Sequence, residues 1–296
     1  MNRRILIAGG SGLIGTRLTE LLTQKGYQVR HLGRTSRDGP IPTFEWDIHK
    51  QTMDERAFEG VSAVINLAGA NISGHRWTKA YKKELATSRI GSTNLIVNFL
   101  NNEPNTVTSF LSGSAVGYYG MENTSHWFVE TDPPGADFLA QLVVDWEKAA
   151  MQVKSSVNLT RIRTGIVFSD RGGALEEMSK PIKLFVGSPL GSGKQITDWI
   201  HIDDHCRIVI HILENNLAGV FNAVAPEPAT NEEITKALAK KLHRPLLIPN
   251  VPAFALKIIL GEMSNAVLNG ALVSSKKIES TGFKFEYPTL AKALGI

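Results

Sequence analysis

Residues 8–15 read AGGSGLIG, and this stretch determines the expected fold. It directly follows a short apolar run, Arg4–Ala8, and opens a pattern from Leu13 to Lys25 in which apolar residues recur at helical spacing. A glycine motif between a strand and a helix is typical of dinucleotide binding, because backbone N–H groups can approach a pyrophosphate at the positive end of a helix. The residues expected to contact the dinucleotide here are Gly9, Ser11, Gly12, Leu13, Ile14 and Gly15.

The end of the second predicted strand bears on the choice between NAD and NADP. NAD-binding folds carry an acid about 20 residues after the loop, which binds the ribose. Residues 31–37 read HLGRTSR and contain no acid. Gly33 and Arg34 are expected at the adenosine end, where Arg34 could hold a 2′-phosphate or lie flat against adenine. The sequence therefore predicts NADP, with ordinary surface charge at Arg34 and Arg37 as the alternative.

Strands alternate with helical patterns along the first 170 residues, which predicts βαβ units. The expected fold class is α/β: a Rossmann-type doubly wound parallel sheet with a smaller, mixed C-terminal substrate lobe. Residues 1–170 are assigned to the NADP-binding domain, to which a segment at about 195–225 returns. Residues 171–296 are assigned to the substrate or cap lobe, with a helical part at about 245–296.

Composition excludes several classes of protein. The chain has 296 residues, 32 Lys+Arg and 28 Asp+Glu, and its basic residues occur in isolated pairs, which argues against nucleic-acid binding. No apolar run reaches the roughly 18 residues that span a bilayer, and the N-terminal run is too short for a signal peptide. A single cysteine, Cys206, fits a reducing compartment and a buried thiol. We therefore expect a cytoplasmic protein with no membrane partner.

Further segments of the sequence strengthen the assignment to a dinucleotide-binding fold. They are NLAG at 66–69, SGSAVGYYG at 112–120, RTGIV at 163–167, WIHIDD at 199–204 and GEM at 261–263. With the glycine loop, they resemble the extended short-chain dehydrogenases/reductases, the NAD(P)-dependent epimerase/dehydratases. The narrower similarity is to the branch described as nucleoside-diphosphate-sugar epimerases with a small C-terminal extra domain.

This resemblance implies cofactor contacts beyond the glycine loop. They fall at the ends of the third and fourth strands, on the helix that follows, and near the nicotinamide carboxamide: Asp47, Leu67, Ala68, Gly69, Glu84, Arg89 and Ile166. No metal ligand is expected, because the setting of His201, Asp203 and Asp204 indicates a strand end and a helix N-cap, with Asp accepting backbone N–H bonds.

The catalytic pair of the superfamily is missing. Its chemistry uses a Tyr and a Lys four residues later, and none of the five tyrosines here precedes a Lys at that spacing. Alignment on Trp146 and Glu147 places Leu139 and Val143 at these two positions. The expected catalytic residues are therefore Ser114, which matches the serine of the family, and Tyr118 as the acid. Tyr119 is a second candidate, and simple packing is the alternative for either tyrosine.

Three functions remain open from the sequence. The first is an NADP-dependent oxidoreductase or epimerase-like enzyme acting on a carbonyl or alcohol. The second is a non-catalytic NADPH-binding redox sensor or regulator, and the third is a sugar-nucleotide epimerase with tightly held cofactor. A small-molecule substrate, with a nucleotide sugar as one candidate, is the expected partner. A homodimer through the helices at 79–100 and 138–154 is a further expectation.

Overall fold

The structure is a computed structural model that describes residues 4–120 and 125–296. Its strands are β1 (Arg4–Ala8), β2 (Gln28–Gly33), β3 (Thr43–Asp47), β4 (Thr52–Met53), β5 (Ala63–Asn66), β6 (Ser109–Ala115), β7 (Trp127–Phe128), β8 (Asn158–Thr164), β9 (Ile166–Phe168), β10 (Ile196–Thr197), β11 (Trp199–His201), β12 (Gly219–Ala223), β13 (Ala229–Thr230) and β14 (Leu272–Val273). Its α-helices are α1 (Leu13–Gln24), α2 (Lys79–Ala86), α3 (Ser92–Asn102), α4 (Phe138–Ala150), α5 (Ala174–Lys183), α6 (Ile202–Glu214), α7 (Asn231–Lys241), α8 (Ala253–Leu260), α9 (Asn265–Leu268), α10 (Lys276–Ser280) and α11 (Leu290–Leu294).

An eight-stranded sheet forms the centre of the fold, in the order β12-β8-β6-β5-β1-β2-β3-β4. All its neighbouring strands pair in parallel except the β3–β4 pair. The strand order reverses at β1, so the crevice at the carboxyl ends of β1 and β5 is the place where such folds bind ligands. The predicted fold class is confirmed.

Both faces of the sheet are covered, as the apolar strands predict. Ile5 and Ile7 of β1 belong to the core cluster that includes α1 and α6. Leu6 and Ala8 alternate with them and belong to the cluster on the opposite face, with α3. Cys206 is fully buried as expected, and burial raises the pKa of its thiol.

Two predicted elements are divided in the structure. The helix predicted over 79–100 contains a π-turn at Thr87–Gly91 between α2 and α3. The sequence over 159–167, where a single strand of the parallel sheet is expected, breaks at Gly165, where β8 ends and β9 leaves the main sheet to pair with β11. Gly165 passes so close to the next chain segment that a Cβ there would lie 2.5 Å from the Asp198 carbonyl oxygen.

The start of α6 corrects the expectation that an Asp side chain caps this helix. The strand end and helix occur where expected, but the N-cap is His201, whose Nδ1 accepts the Asp203 N–H. Asp203 instead pairs with Arg17 at 2.6 Å. The buried Asp204 carboxylate does accept backbone N–H bonds, but from Glu286 and Tyr287 near the C-terminus rather than from its own helix.

The C-terminal part adds short ladders and helices to the main sheet. β12 is the edge strand of the main sheet, beside β8. β14 pairs with β7, which precedes α4 in the chain, so the last part of the chain is joined to the first half. The domain division near residue 170 stays a prediction. Among the described residues, none of the helices combines the length and apolar character that crossing a bilayer requires.

Candidate functional site

The glycine loop is tightly packed on the sheet. Gly9 has φ +80°, and a Cβ there would lie 2.8 Å from the Leu67 carbonyl carbon. A Cβ on Gly15 would lie 2.3 Å from the Gly9 carbonyl oxygen, so α1 can approach the loop only because residue 15 is glycine. These contacts place the loop at the carboxyl ends of β1 and β5.

The N-terminus of α1 is open to a ligand. Gly12 is its N-cap, and no described side chain caps the first turn. Since the first-turn N–H groups have no acceptors within the helix, those of Leu13 and Ile14 are available to an anion. Ser11 and Gly12 are exposed beside them. This uncapped loop, in which Ser11 is the single residue with a side chain, fits the pyrophosphate of a dinucleotide.

The residues expected at the adenosine end lie around two neighbouring strand ends. Gly33 ends β2, and the Arg34 guanidinium is exposed, with no hydrogen bond or ion pair to any residue in 4–120 or 125–296. The Asp47 carboxylate accepts the N–H groups of His49 and Lys50 at 2.9 and 3.1 Å, which lowers its pKa. Glu84 lies 3.9 Å from the His49 ring. Asp47 and Glu84 therefore border the same turn.

The π-turn directs Arg89 to the end of β5. Its guanidinium donates to the carbonyls of Ala70 and Leu85, and the Cβ position of Gly69 lies 3.2 Å from its Cζ atom. Burial lowers its pKa, and no described carboxylate pairs with it. π-turns are frequent at functional sites. A half-buried cation that pairs with no described carboxylate therefore lies beside Gly69, and the expected cofactor contacts of both residues stay predictions.

Ser114 is part of a buried charged network. Its hydroxyl donates to Glu147 at 2.6 Å, and Glu147 also binds the Arg163 guanidinium at 2.8 and 3.0 Å. Arg163 lies over the Tyr118 ring, 3.3 Å from its centroid, and donates to the Tyr119 hydroxyl. Burial raises the pKa of Tyr119 to about 12. The Ser114 hydroxyl is thus engaged in a hydrogen bond to Glu147. The catalytic roles expected for Ser114 and Tyr118 stay predictions.

Two adjoining cavities form a cleft, which is bordered by Val116 and Gly120, on either side of Tyr118 and Tyr119 in the chain. The first has a cavity volume of about 100 Å³ and is bordered by Ile166, and the second has a cavity volume of about 240 Å³ and is bordered by Leu139. Ala266 and Asn269 line both cavities. Leu139, the residue expected at the position of the family's tyrosine, therefore faces the cleft.

Asp198 is the residue of this cleft that sequence reasoning missed. It lines the first cavity and is only 7% exposed. Its main-chain carbonyl accepts the Ile166 N–H at 2.6 Å, and its Oδ1 accepts the Val273 N–H at 3.2 Å. Burial raises its pKa to about 7. Its only sequence signal is an acid directly before the apolar pair Trp199 and Ile200.

A doubly wound parallel sheet with an uncapped glycine loop at its switch point defines a Rossmann-type dinucleotide-binding protein. The chain belongs to the NAD dependent epimerase/dehydratase family, whose model matches residues 5–223. Residues 251–295 match a domain of unknown function, DUF1731.

Curated relatives match the chain over nearly its whole length. The chloroplastic homolog of epimerase family protein SDR39U1 from Arabidopsis thaliana is 37% identical, over 98% of this chain and 85% of the relative. The human epimerase family protein SDR39U1 is 35% identical, over 98% of each chain. The expected cytoplasmic location of the present chain stays a prediction.

Solved structures agree on the fold. The crystal structure of human SDR39U1 isoform 2 with NADPH has a TM-score of 0.88 and 32% identity, and the match covers 98% of this chain and 97% of that one. The Thermus thermophilus UDP-glucose 4-epimerase complex with NAD has a TM-score of 0.77 at 18% identity, covering 98% and 96%, and shows the fold alone. Within residues 4–120 and 125–296, no group of three or more His, Cys, Asp or Glu side chains is arranged to hold a metal ion.

Proposed function

We propose that the chain binds NADPH and acts as an oxidoreductase or epimerase-like enzyme on a small carbonyl or alcohol substrate. The position of the glycine loop beside the cleft carries this proposal. Gly173, which precedes α5, lies so close to the loop that a Cβ there would be 2.8 Å from Leu13 Cδ2. Met178 of α5 lines the first cavity. One helix therefore joins the dinucleotide loop to the cleft.

The residues present fit the different parts of NADPH. The open N–H groups of Leu13 and Ile14 would bind the pyrophosphate, and the free Arg34 guanidinium would bind the 2′-phosphate. Arg89 would add positive charge beside Gly69. The NADPH in the human relative agrees with this choice of cofactor.

The chemistry divides between cofactor and protein. Bound NADPH supplies a hydride, and the protein must supply or remove a proton at the substrate oxygen. Leu139 and Val143 cannot do so, because their side chains are aliphatic. Ser114 and Tyr118 are the candidates that the sequence offers, and Ser114 would first have to release Glu147.

The second candidate function is a non-catalytic NADPH-binding regulator. It is favoured by Leu139 and Val143, both buried, at the positions of the usual catalytic pair. It is also favoured by the hydrogen bond that holds the Ser114 hydroxyl on Glu147. This candidate shares the cofactor site with the enzyme and differs only in turnover.

Calorimetric titration with NADPH and NADH, followed by a turnover screen, tests the proposal. We expect tighter binding of NADPH than of NADH, and NADPH oxidation with at least one small aldehyde or ketone. Tight NADPH binding without turnover would favour the regulator. Binding of neither nucleotide would refute both functions.

A further inference from the structure

Among the described residues, the lining of the first cavity holds one carboxyl group and no other charged side chain. Asp198 is the only titratable residue among the described residues that border it, and the aliphatic side chains of Ile166, Leu190 and Val267 form much of the remainder. No described residue donates a hydrogen bond to Oδ2 of Asp198, whereas Oδ1 accepts the Val273 N–H. Oδ2 is therefore the atom of this carboxyl group that is left for a ligand in the cavity.

No cationic side chain lines either cavity among the described residues. Arg76 donates to the Ile258 carbonyl at 3.2 Å, and Lys82 pairs with Glu262 at 2.6 Å. Lys194 is exposed and borders neither cavity.

Diphosphate groups are recognised by Arg and Lys or by the open N–H groups of a helix N-terminus, because buried negative charge must be neutralised. The N-termini of α4 and α7, which border the cavities, are already capped by the side chains of Asp137 and Thr230. The described residues of the cleft therefore offer no group that would neutralise a nucleoside diphosphate, and the second cavity adds two carboxylates, those of Asp137 and Glu262.

The geometry points to an uncharged, largely apolar carbonyl or alcohol compound as the substrate, with its oxygen hydrogen-bonded to the Asp198 carboxyl group, which exchanges the proton of the reaction. This inference rests on the proposed function and names its substrate class and its acid.

The proton balance follows from the two redox states. In reduction, the carbonyl carbon gains the hydride that NADPH supplies, and the carbonyl oxygen gains the proton of the Asp198 carboxylic acid. The products are the alcohol, NADP⁺ and the Asp198 carboxylate, which water reprotonates. In oxidation, the carboxylate accepts the hydroxyl proton of the alcohol while NADP⁺ takes the hydride.

The surroundings of Asp198 suit proton exchange near neutral pH. Burial raises its pKa to about 7, and the only opposing effect is the Val273 N–H bond. The strands that contact it, β9 and β14, carry no titratable side chain. The carboxyl group is therefore protonated below about pH 7, and reduction should slow as pH rises above that value.

The test uses the 296-residue chain with acetophenone that is labelled with ¹³C at the carbonyl carbon. The nucleotide is NADP⁺, which has no hydride to transfer, so the ketone does not react. We expect the ¹³C resonance of the bound ketone to shift with an apparent pKa near 7 in the wild type. It should not titrate in Asp198→Asn, which keeps an acceptor for Val273 N–H. Ala266→Phe, which fills the space shared by both cavities, should abolish ketone binding. UDP-glucose should not displace the ketone.

Kinetics with NADPH and acetophenone complete the test. We expect Asp198→Asn to retain NADPH affinity and to lower kcat by about 100-fold or more, the usual contribution of an acid catalyst. An equally active Asp198→Asn variant would refute the role of Asp198 and leave the proposed function standing. Displacement of the ketone by UDP-glucose, or failure of acetophenone, benzaldehyde and cyclohexanone to bind, would refute the substrate class. NADPH binding without turnover, with a titrating ketone signal, would refute the proposed enzyme activity and with it the proton exchange at Asp198.

Discussion

The Ser114 hydroxyl donates a hydrogen bond to the carboxylate of Glu147, which two arginines already neutralise. Glu147 is 3.2 Å from Arg161 and 2.8 Å from Arg163, and its side chain is 4% exposed. Removing one member of such a network leaves the others unsatisfied, so substitutions here affect stability as well as any catalytic role. A loss of activity in Ser114→Ala is therefore informative only beside a measured free energy of unfolding.

We expect Arg34 to determine the preference for NADPH over NADH in the proposed site. Arg34→Ala should weaken NADPH binding by about 10- to 100-fold, because it removes charged hydrogen bonds to the 2′-phosphate worth about 1.5–3 kcal/mol. NADH affinity should change little. Calorimetric titration of both nucleotides measures the difference, and Arg37→Ala is the matched control. Equal losses for NADPH and NADH would show that Arg34 stacks on adenine instead.

Asp198 makes the stability of the protein depend on pH. Its pKa is raised to about 7 in the folded state, so the folded chain keeps a proton that the unfolded chain releases above about pH 4. This contribution favours the folded state below pH 4 and is lost progressively as pH rises to 7. Asp198→Asn should therefore gain about 2–4 kcal/mol relative to the wild type between pH 4 and 8.

Urea unfolding of both proteins at pH 4, 6 and 8 measures this difference. Comparing the two chains cancels the contributions of other groups, such as the buried His205, whose pKa burial lowers to about 4. A difference in free energy of unfolding that stays constant over this range would contradict the raised pKa.

At the scale of elements, the glycine loop was predictable because its signal is local. A strand, a turn and a helix follow one another within about 20 residues, and the glycine spacing is set by backbone contacts inside that unit. The π-turn was not predictable, since the apolar pattern of residues 79–100 continues across it. Its presence depends on contacts to residues distant in sequence, such as the bond from the Ala70 N–H to Ser88 Oγ.

Substitutions at two glycines of the loop should separate the effect of packing on stability from the effect of the loop on NADPH binding. Gly15→Ala places a Cβ 2.3 Å from the Gly9 oxygen and should destabilise the fold by about 1–3 kcal/mol. Gly12→Ala meets only the Gly9 oxygen at 3.3 Å and has a permitted backbone conformation. It should keep near wild-type stability and lose NADPH affinity, because the methyl group lies where the pyrophosphate approaches.

Thermal unfolding and NADPH titration of both variants measure the two effects. Wild-type NADPH affinity in Gly12→Ala would show that no phosphate approaches the loop backbone. A fully stable Gly15→Ala would show that the loop moves to accommodate the methyl group.

At the scale of the molecule, the sheet was predictable from the sequence and the cleft was not. Apolar runs and turns specify strands locally, whereas Asp198 reaches the cleft through the pairing of β9 with β11 and the Val273 N–H of β14. The homodimer expected through the helices at 79–100 and 138–154 stays a prediction. The outward side chains of α3 and α4 include Asn94, Asn98 and Gln141, all polar.

The segment that matches DUF1731 completes the main core rather than forming one of its own. Ile278 of α10 is fully buried in the cluster that contains β1 and α6, and Phe283 belongs to the same cluster. α10 lies beside β12. We therefore expect the chain to unfold in one cooperative transition, although its family matches divide it in two.

Ile278→Ala tests whether the C-terminal segment and the main sheet unfold together. It should lower the free energy of unfolding by about 2–5 kcal/mol, the range for truncating a buried aliphatic side chain. Phe254→Ala, at a residue of the same segment that is 68% exposed, is the matched control and should change stability by less than about 0.5 kcal/mol. Far-ultraviolet circular dichroism reports the whole chain, whereas tryptophan fluorescence reports only the part before residue 200, which holds all five tryptophans. The two signals should show coincident transitions in both variants. If Ile278→Ala produced an early transition seen only in the C-terminal segment, that segment would be a separately folding unit, and the carboxyl group of Asp198 would depend on a contact that opens before the sheet does.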